Sequence, residues 1–229
     1  MCRVWQMKTK YTDFNQAGDV FAGTHSENWI VLDAVLSQMP LHIKESQQRG
    51  IEGSLIFDPV GTNAYIKKAL ENHSWGTNTP IPSDYQNLGT DVDFTQSGIL
   101  VEVQFSNYPF VANNAVRTEI LRKAKQPVGG HQIDGLVIVT KAHMFPASNS
   151  TLYYEQAVSI ISQMDEHGVL DVPIRVVGLF EDPGSEIPVR NLGKGIRYSR
   201  DLTSQETGQC RVVASTTERG RCSLTMTEK

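Results

Sequence analysis

At 229 residues, 39% hydrophobic and 20% charged, the chain is long enough to bury one sizeable core and too short for two, which points to one domain with an elaboration. It has no run of 18 apolar residues, and MCRVWQMKTKYTDF lacks the apolar stretch of a signal peptide, so a soluble, cytoplasmic protein with no membrane partner is expected. Cys2, Cys210 and Cys222 form no CxxC pair and the histidines are scattered, which excludes a disulfide framework and a zinc site, while the net charge of −4 argues against loose binding to nucleic acid but not against a specific site.

Taken in chain order, the first periodic segment is a helix capped by Ser26 and running to about Met39, with Trp29, Ile30, Leu32, Val35 and Leu36 at helical spacing and Pro40 as its stop. A second helix is expected from about Thr62 to Asn72, on the stripe Tyr65, Ile66, Ala69 and Leu70. His73 to Leu88 is rich in Pro, Asn and Ser and reads as loop. Thr90–Phe94 and Ile99–Phe105 then alternate like strands, joined by the short polar link Thr95–Gly98, and predict a hairpin. Asn113 to Lys125 reads as a helix with Val116, Ile120 and Leu121 inward. Gly135–Lys141 and Ile174–Phe180 are apolar strands, and Thr151 to His167 between them is an amphipathic helix. Strand, helix, strand predicts a parallel crossover in a mixed sheet. Beyond Pro183 only short strand-like pieces remain, and the last twenty or so residues are polar enough to fray.

The hairpin carries the chemistry. Along its second strand Ile99, Val101, Val103 and Phe105 share one face, and Leu100, Glu102 and Gln104 share the other. Glu102 and Gln104 are then about 7 Å apart, and the hairpin brings Asp93 close to Glu102. Two adjacent carboxylates repel unless a proton or a cation lies between them, and oxygen ligands of this kind select magnesium. The competing reading puts Glu102 and Gln104 on the wet face of an antiparallel sheet. Basic residues cluster at Arg117, Arg122, Lys123 and Lys125, and again at Arg190, Lys194, Arg197 and Arg200, followed by Arg211, Arg219 and Arg221. They form either a solvated face or the footprint of a polyanion.

PLHIKES (40–46), GSLIFDPVGTNAYIK (53–67), VEVQFSNYPF (101–110), TKAHMFPASNSTLYYEQA (140–157), DVPIRVVGL (171–179) and RYSR (197–200) resemble, in the same order, the BglII family of type II restriction endonucleases, of the PD-(D/E)XK nuclease superfamily. The similarity runs from about Asp13 to Asp201, and leaves out the first dozen residues, about Ala124 to Ile133, and the tail after Thr203. It implies an α/β nuclease core, a mixed central β-sheet flanked by helices, over about 13–182. An additional β-rich subdomain follows over about 183–215, and a polar tail over 216–229, the whole forming a single endonuclease domain. It implies a prokaryotic homodimer that cuts double-stranded DNA with magnesium at a palindrome with a central GATC, AGATCT being the expected site.

On the matching positions Asp93, Glu102 and Gln104 would be catalytic, with Asp93 and Glu102 holding the metal. Gln104 stands where most of the superfamily has lysine or glutamate, as it does in the BglII family. Asp91 is a competing carboxylate, assigned to structural support of the hairpin. The resemblance gives DNA contacts to Asn107, Arg117, Asn149, Ser150, Tyr198 and Arg200. Read without it, Asn107 is a turn residue, Arg117 a solvated helix arginine, Asn149 and Ser150 helix caps, and Tyr198 a packed tyrosine beside an exposed Arg200. Two other classes stay open: a catalytically silent DNA-binding relative, and a metal-dependent phosphodiesterase with another substrate.

Overall fold

The structure, a computed structural model, describes residues 7–147, 150–180, 186–191, 206–217 and 220–228. Its strands are β1 (Thr9–Phe14), β2 (Leu41–Glu45), β3 (Leu55–Phe57), β4 (Gly76–Pro80), β5 (Asp91–Gln96), β6 (Ile99–Val103), β7 (Gly135–Lys141), β8 (Ile174–Leu179), β9 (Glu186–Asn191), β10 (Glu206–Val213) and β11 (Ser223–Glu228). Its helices are α1 (Ala17–Ala22), α2 (Ser26–Ser37), α3 (Pro59–Glu71), α4 (Pro109–Lys123) and α5 (Tyr154–Glu166).

The main sheet has the order β1-β8-β7-β6-β5-β4. Its centre, β6, β7 and β8, is parallel, and β1, β5 and β4 join antiparallel at the flanks. Every residue of β7 and β8 is buried, as expected of parallel strands covered on both faces. The crossovers through α4 and α5 lie over one face, where Val111, Ala115, Leu121, Ala157 and Ile161 pack on Leu100, Leu136, Ile138 and Val176. The opposite face, Ile99, Val101, Val103, Val137 and Val139, meets Phe21, Leu32, Leu36, Ile66 and Leu70 of α1 to α3. Leu41, Ile43, Val189 and Val212 of the second sheet join that same core, so the β-rich part is packed into the body of the protein.

The second sheet has the order β11-β10-β9-β2-β3, with β11 and β3 drawn near each other at its ends. Two of its strands come from the N-terminal half, and β11 lies in the tail that the polar sequence expects to fray. The expected loop over His73–Leu88 likewise contains β4 and a 3-10 turn, Ser83–Leu88. Helix starts also shift. α2 is capped at His25, with Ser26 already inside, and Ile30 is exposed. α3 begins at Pro59, three residues before the expected Thr62, because Asp58 accepts a bond from the Val60 amide at 3.3 Å and Pro59 fits the first turn.

α4 departs most from expectation. Ile120 faces solvent and Val116 is half-buried, while Asn114, Arg117, Thr118 and Glu119 are buried with Leu121. The helix turns a polar stripe inward, where Arg117 reaches Glu102 of the hairpin and Glu119 accepts from the Asp171 and Val172 amides before β8. At the far edge of the sheet Arg175, 4% exposed, gives two bonds to Asp13 at 2.6 and 2.7 Å and lies against the rings of Tyr11, Phe21 and Trp29, which pins β1 to β8.

Candidate active site

β5 and β6 pair as Gln96 with Ile99, Thr95 with Leu100 and Phe94 with Val101. One step further Asp93 and Glu102 would face each other, and there the ladder ends. Asp93 instead accepts a bond from the Val103 amide through Oδ2 at 2.8 Å, so a carboxylate takes over from the backbone. Beyond this point β5 stays with β4, through Val92 with Thr79 and Asp91 with Pro80. β6 stays with β7, through Val103 with Val139, and the Gln104 amide donates to Val139 O at 2.8 Å. The two strands fork at the acid pair.

Glu102 is 6% exposed, on a central strand under α4, which overturns the wet-face reading. Its Oε1 meets the Arg117 guanidinium, which is 5% exposed. Arg117 is therefore no solvated helix arginine. Gly89, at φ +137, makes room for it: a Cβ there would stand 2.3 Å from Nη1. Burial raises the Glu102 carboxyl to about 8, against the pull of Arg117, and the charges of Asp93 and Asp91 push the same way. Asp93 is also raised, by burial first, with its bond to Val103 acting against the shift and Asp91 acting with it. Asp91 itself is exposed, accepts from the Thr90 hydroxyl at 3.0 Å, and bears on the pair through charge.

Gln104 is half-buried in a cleft of about 250 Å³ that is also lined by Lys44, Asn63, Ser106 and Ser150. Asn107 follows on an exposed turn into α4, where its carbonyl accepts from the Phe110 amide at 3.3 Å. That turn is bonded to the segment around residue 150, since Ser106 O accepts from the amides of Thr151 and Leu152 at 2.9 and 3.3 Å. α5 starts only at Tyr154, with Tyr153 as its cap, so Ser150 is not a helix cap. Ser150 is 4% exposed and its hydroxyl is engaged by Lys141 and by Phe105 O. Asn149, Tyr198 and Arg200 lie outside the described residues. The sequence thus brings Asp93, Glu102, Gln104, Asn107, Arg117 and Ser150 to one end of β6. It gave no warning of the pairing of Arg117 with Glu102, of Gly89, or of Lys141, although a lysine closing the strand GLVIVTK directly after its apolar run is a readable signal.

Among the described residues no group of three His, Cys, Asp or Glu side chains is placed to hold a metal alone. Two acids with raised pKa values, one already drawing a guanidinium, fit a hard cation that completes its shell with water and phosphate. No described helix is long and apolar enough to cross a membrane.

The profile of the family "Restriction endonuclease BglII/BglIII" matches residues 9–179. The chain belongs to this family. It is 45% identical over 216 residues to the type II restriction enzyme BglII of Bacillus subtilis, covering 94% of this chain and 96% of that one. The crystal structure of BglII complexed with a DNA 16-mer superposes with a TM-score of 0.90 at 43% identity, over 96% of this chain and all (100%) of that one. Free BglII gives 0.74 at 41% identity over the same shares of 96% and 100%. As a BglII-family member the protein is a type II restriction endonuclease, a site-specific deoxyribonuclease. The mixed sheet and its helical flanks are those of BglII.

Proposed function

We propose that this enzyme is a homodimer that binds double-stranded DNA at AGATCT and cuts both strands with magnesium. We place it in the cytoplasm of a prokaryotic cell. The fork between β5 and β6 carries the reading: it presents Asp93 and Glu102 together, half-buried and buried, both reluctant to ionise without a cation. Magnesium bound there would supply positive charge to the scissile phosphate and lower the pKa of a water. Asp93, fixed by the Val103 amide, would hold the ion from β5. Glu102 would hold it from β6, exchanging part of its contact with Arg117. Gln104 can be neither base nor cation at neutral pH; its amide would orient the attacking water.

Base reading would fall to Asn107 and Asn149, with an amide suited to a bidentate contact on adenine. Tyr198 and Arg200 would contribute from the C-terminal part. Arg117, buried on Glu102, suits the role of holding that carboxylate better than that of touching a base. Ser150 reaches DNA only if its hydroxyl leaves Phe105 O. Incubation with plasmid and magnesium, followed by sequencing of the cut ends, tests the whole reading. Cuts confined to AGATCT are expected. Binding without cutting would make the chain a silent relative, and cutting at another palindrome would change the site.

A further inference from the structure

Lys141, the last residue of β7, is 0% exposed. An ammonium taken out of water is costly unless its protons are bonded. Its Nζ donates to Phe105 O at 3.0 Å, to Ser150 Oγ at 2.6 Å and to Leu152 O at 2.7 Å, so three protons meet three acceptors. It also lies 4.4 Å from the centre of the Tyr153 ring.

The acceptors come from two stretches with different proposed tasks. Phe105 follows Gln104 directly and precedes Asn107 by two positions. Ser150 and Leu152 follow Asn149. The Ser150 hydroxyl donates in turn to Phe105 O, and the amides of Thr151 and Leu152 add bonds to Ser106 O. Arg221, from the second sheet's side, gives Nη1 to Ala147 O at 2.8 Å and Nη2 to Ser150 O at 3.4 Å, so the same segment is held by a second cation. Burial, with Arg221 adding, pushes the Lys141 ammonium down to about 7.

The geometry points to Lys141 as a positioning residue that fastens the base-reading segment around Asn149 to the end of the catalytic strand β6, so that one joint sets both recognition and cleavage. This rests on the site reading given under Proposed function. A lysine that served stability alone would support the free, noncognate and cognate states alike. A joint between the two stretches matters most when cognate bases load one side of it.

Lys141→Met keeps the length and apolar stem and removes all three donors. Its cognate-to-noncognate affinity ratio is expected to fall by about tenfold, comparable with loss of one base contact, and kcat at the cognate site to fall with it. In a double-mutant cycle with Asn149→Ala, cognate affinity should show a coupling of roughly threefold or more. An unchanged ratio, unchanged kcat and a lowered thermal midpoint would overturn the inference, as would strict additivity with Asn149→Ala. Should Lys141→Met fail to fold, wild-type amide exchange decides: slowing at Thr151 and Leu152 with cognate but not noncognate DNA is expected, and equal slowing in both complexes overturns the joint. A wild type that cuts no GATC-containing DNA would defeat the parent reading itself, whereas failure of the joint alone leaves wild-type cutting intact.

Discussion

Arg117 and Glu102 meet in a buried contact of guanidinium and carboxyl, with side chains 6% and 8% exposed, between the inward face of α4 and the centre of the main sheet. Burial outweighs the guanidinium and leaves the Glu102 carboxyl raised to about 8. The pair is a poorly solvated charge arrangement at the fork where Asp93 and Glu102 leave the β-ladder, and it suits further positive charge.

Glu102→Ala should therefore lose cleavage while sequence-specific binding survives, because under the proposed reading the carboxylate would hold the metal and touch no base. Plasmid cutting and cognate-DNA binding measured on the same preparation check this. Full cutting at ordinary magnesium would remove Glu102 from the site.

The raised carboxyl also makes stability depend on pH. Between the ordinary value of 4.5 and about 8 the folded protein keeps the Glu102 proton that the unfolded chain has lost. Rising pH thus favours the unfolded state across that window. The stability of wild type relative to Glu102→Gln should fall as pH rises, by up to about 1.4 kcal/mol per pH unit, and level off above the folded pKa. Denaturant titrations of both proteins at several pH values measure it. Under the proposed reading magnesium would bind the ionised acid, and it should raise the wild-type midpoint more at the alkaline end than at the acid end. A difference independent of pH would mean that Glu102 is ionised throughout.

Asp93 and Asp91 separate by environment. Asp93→Asn keeps an oxygen to accept from the Val103 amide, so the fold should survive while magnesium-dependent cutting is lost. Asp91 is exposed and bonded only to its neighbour Thr90 among the contacts described, so Asp91→Asn should shift stability by no more than about 0.5 kcal/mol. That is less than a supporting role in the hairpin would predict. Cleavage rates and thermal midpoints of both variants test the assignment. A dead Asp91→Asn beside an active Asp93→Asn would move the ligand by one pair of positions along β5.

Much of this was legible in the sequence for identifiable reasons. β6 announced itself because its two faces differ: Val101 and Val103 belong to one core, and Glu102 interrupts the other with a carboxylate that a buried strand does not carry by accident. β7, α5 and β8 were legible because a long apolar period is a local signal. α4 was misread on its inward face, since Arg117 and Glu119 pack against polar partners on β6 and before β8, and periodicity of apolar residues cannot see a polar interface. β4 was missed because GTNTP is a short, polar edge strand whose identity comes from its pairing with β5. The β-rich second sheet was expected through the family resemblance, but its share of the N-terminal half was not: β2 pairs with β9 from the other end of the chain, and no local window contains both.

The position of α5 alters what Asn149 can be. With the helix beginning at Tyr154 and its cap at Tyr153, residue 149 lies well before the first turn, so loss of a helix cap no longer competes as its role. A bidentate amide contact to adenine is worth about 1–3 kcal/mol of discrimination. Asn149→Ala should then weaken cognate binding by roughly tenfold to a hundredfold for each contact, with a larger loss in a dimer that presents the residue twice. Nonspecific, salt-sensitive binding should hardly change, since phosphate contacts supply it, and the thermal midpoint should stay at the wild-type value. The measurement is the cognate-to-noncognate affinity ratio at one fixed salt concentration, beside the midpoint of each protein. A constant ratio would take base reading away from Asn149 and leave Asn107, on the turn bonded to the same segment through Ser106, to account for adenine recognition.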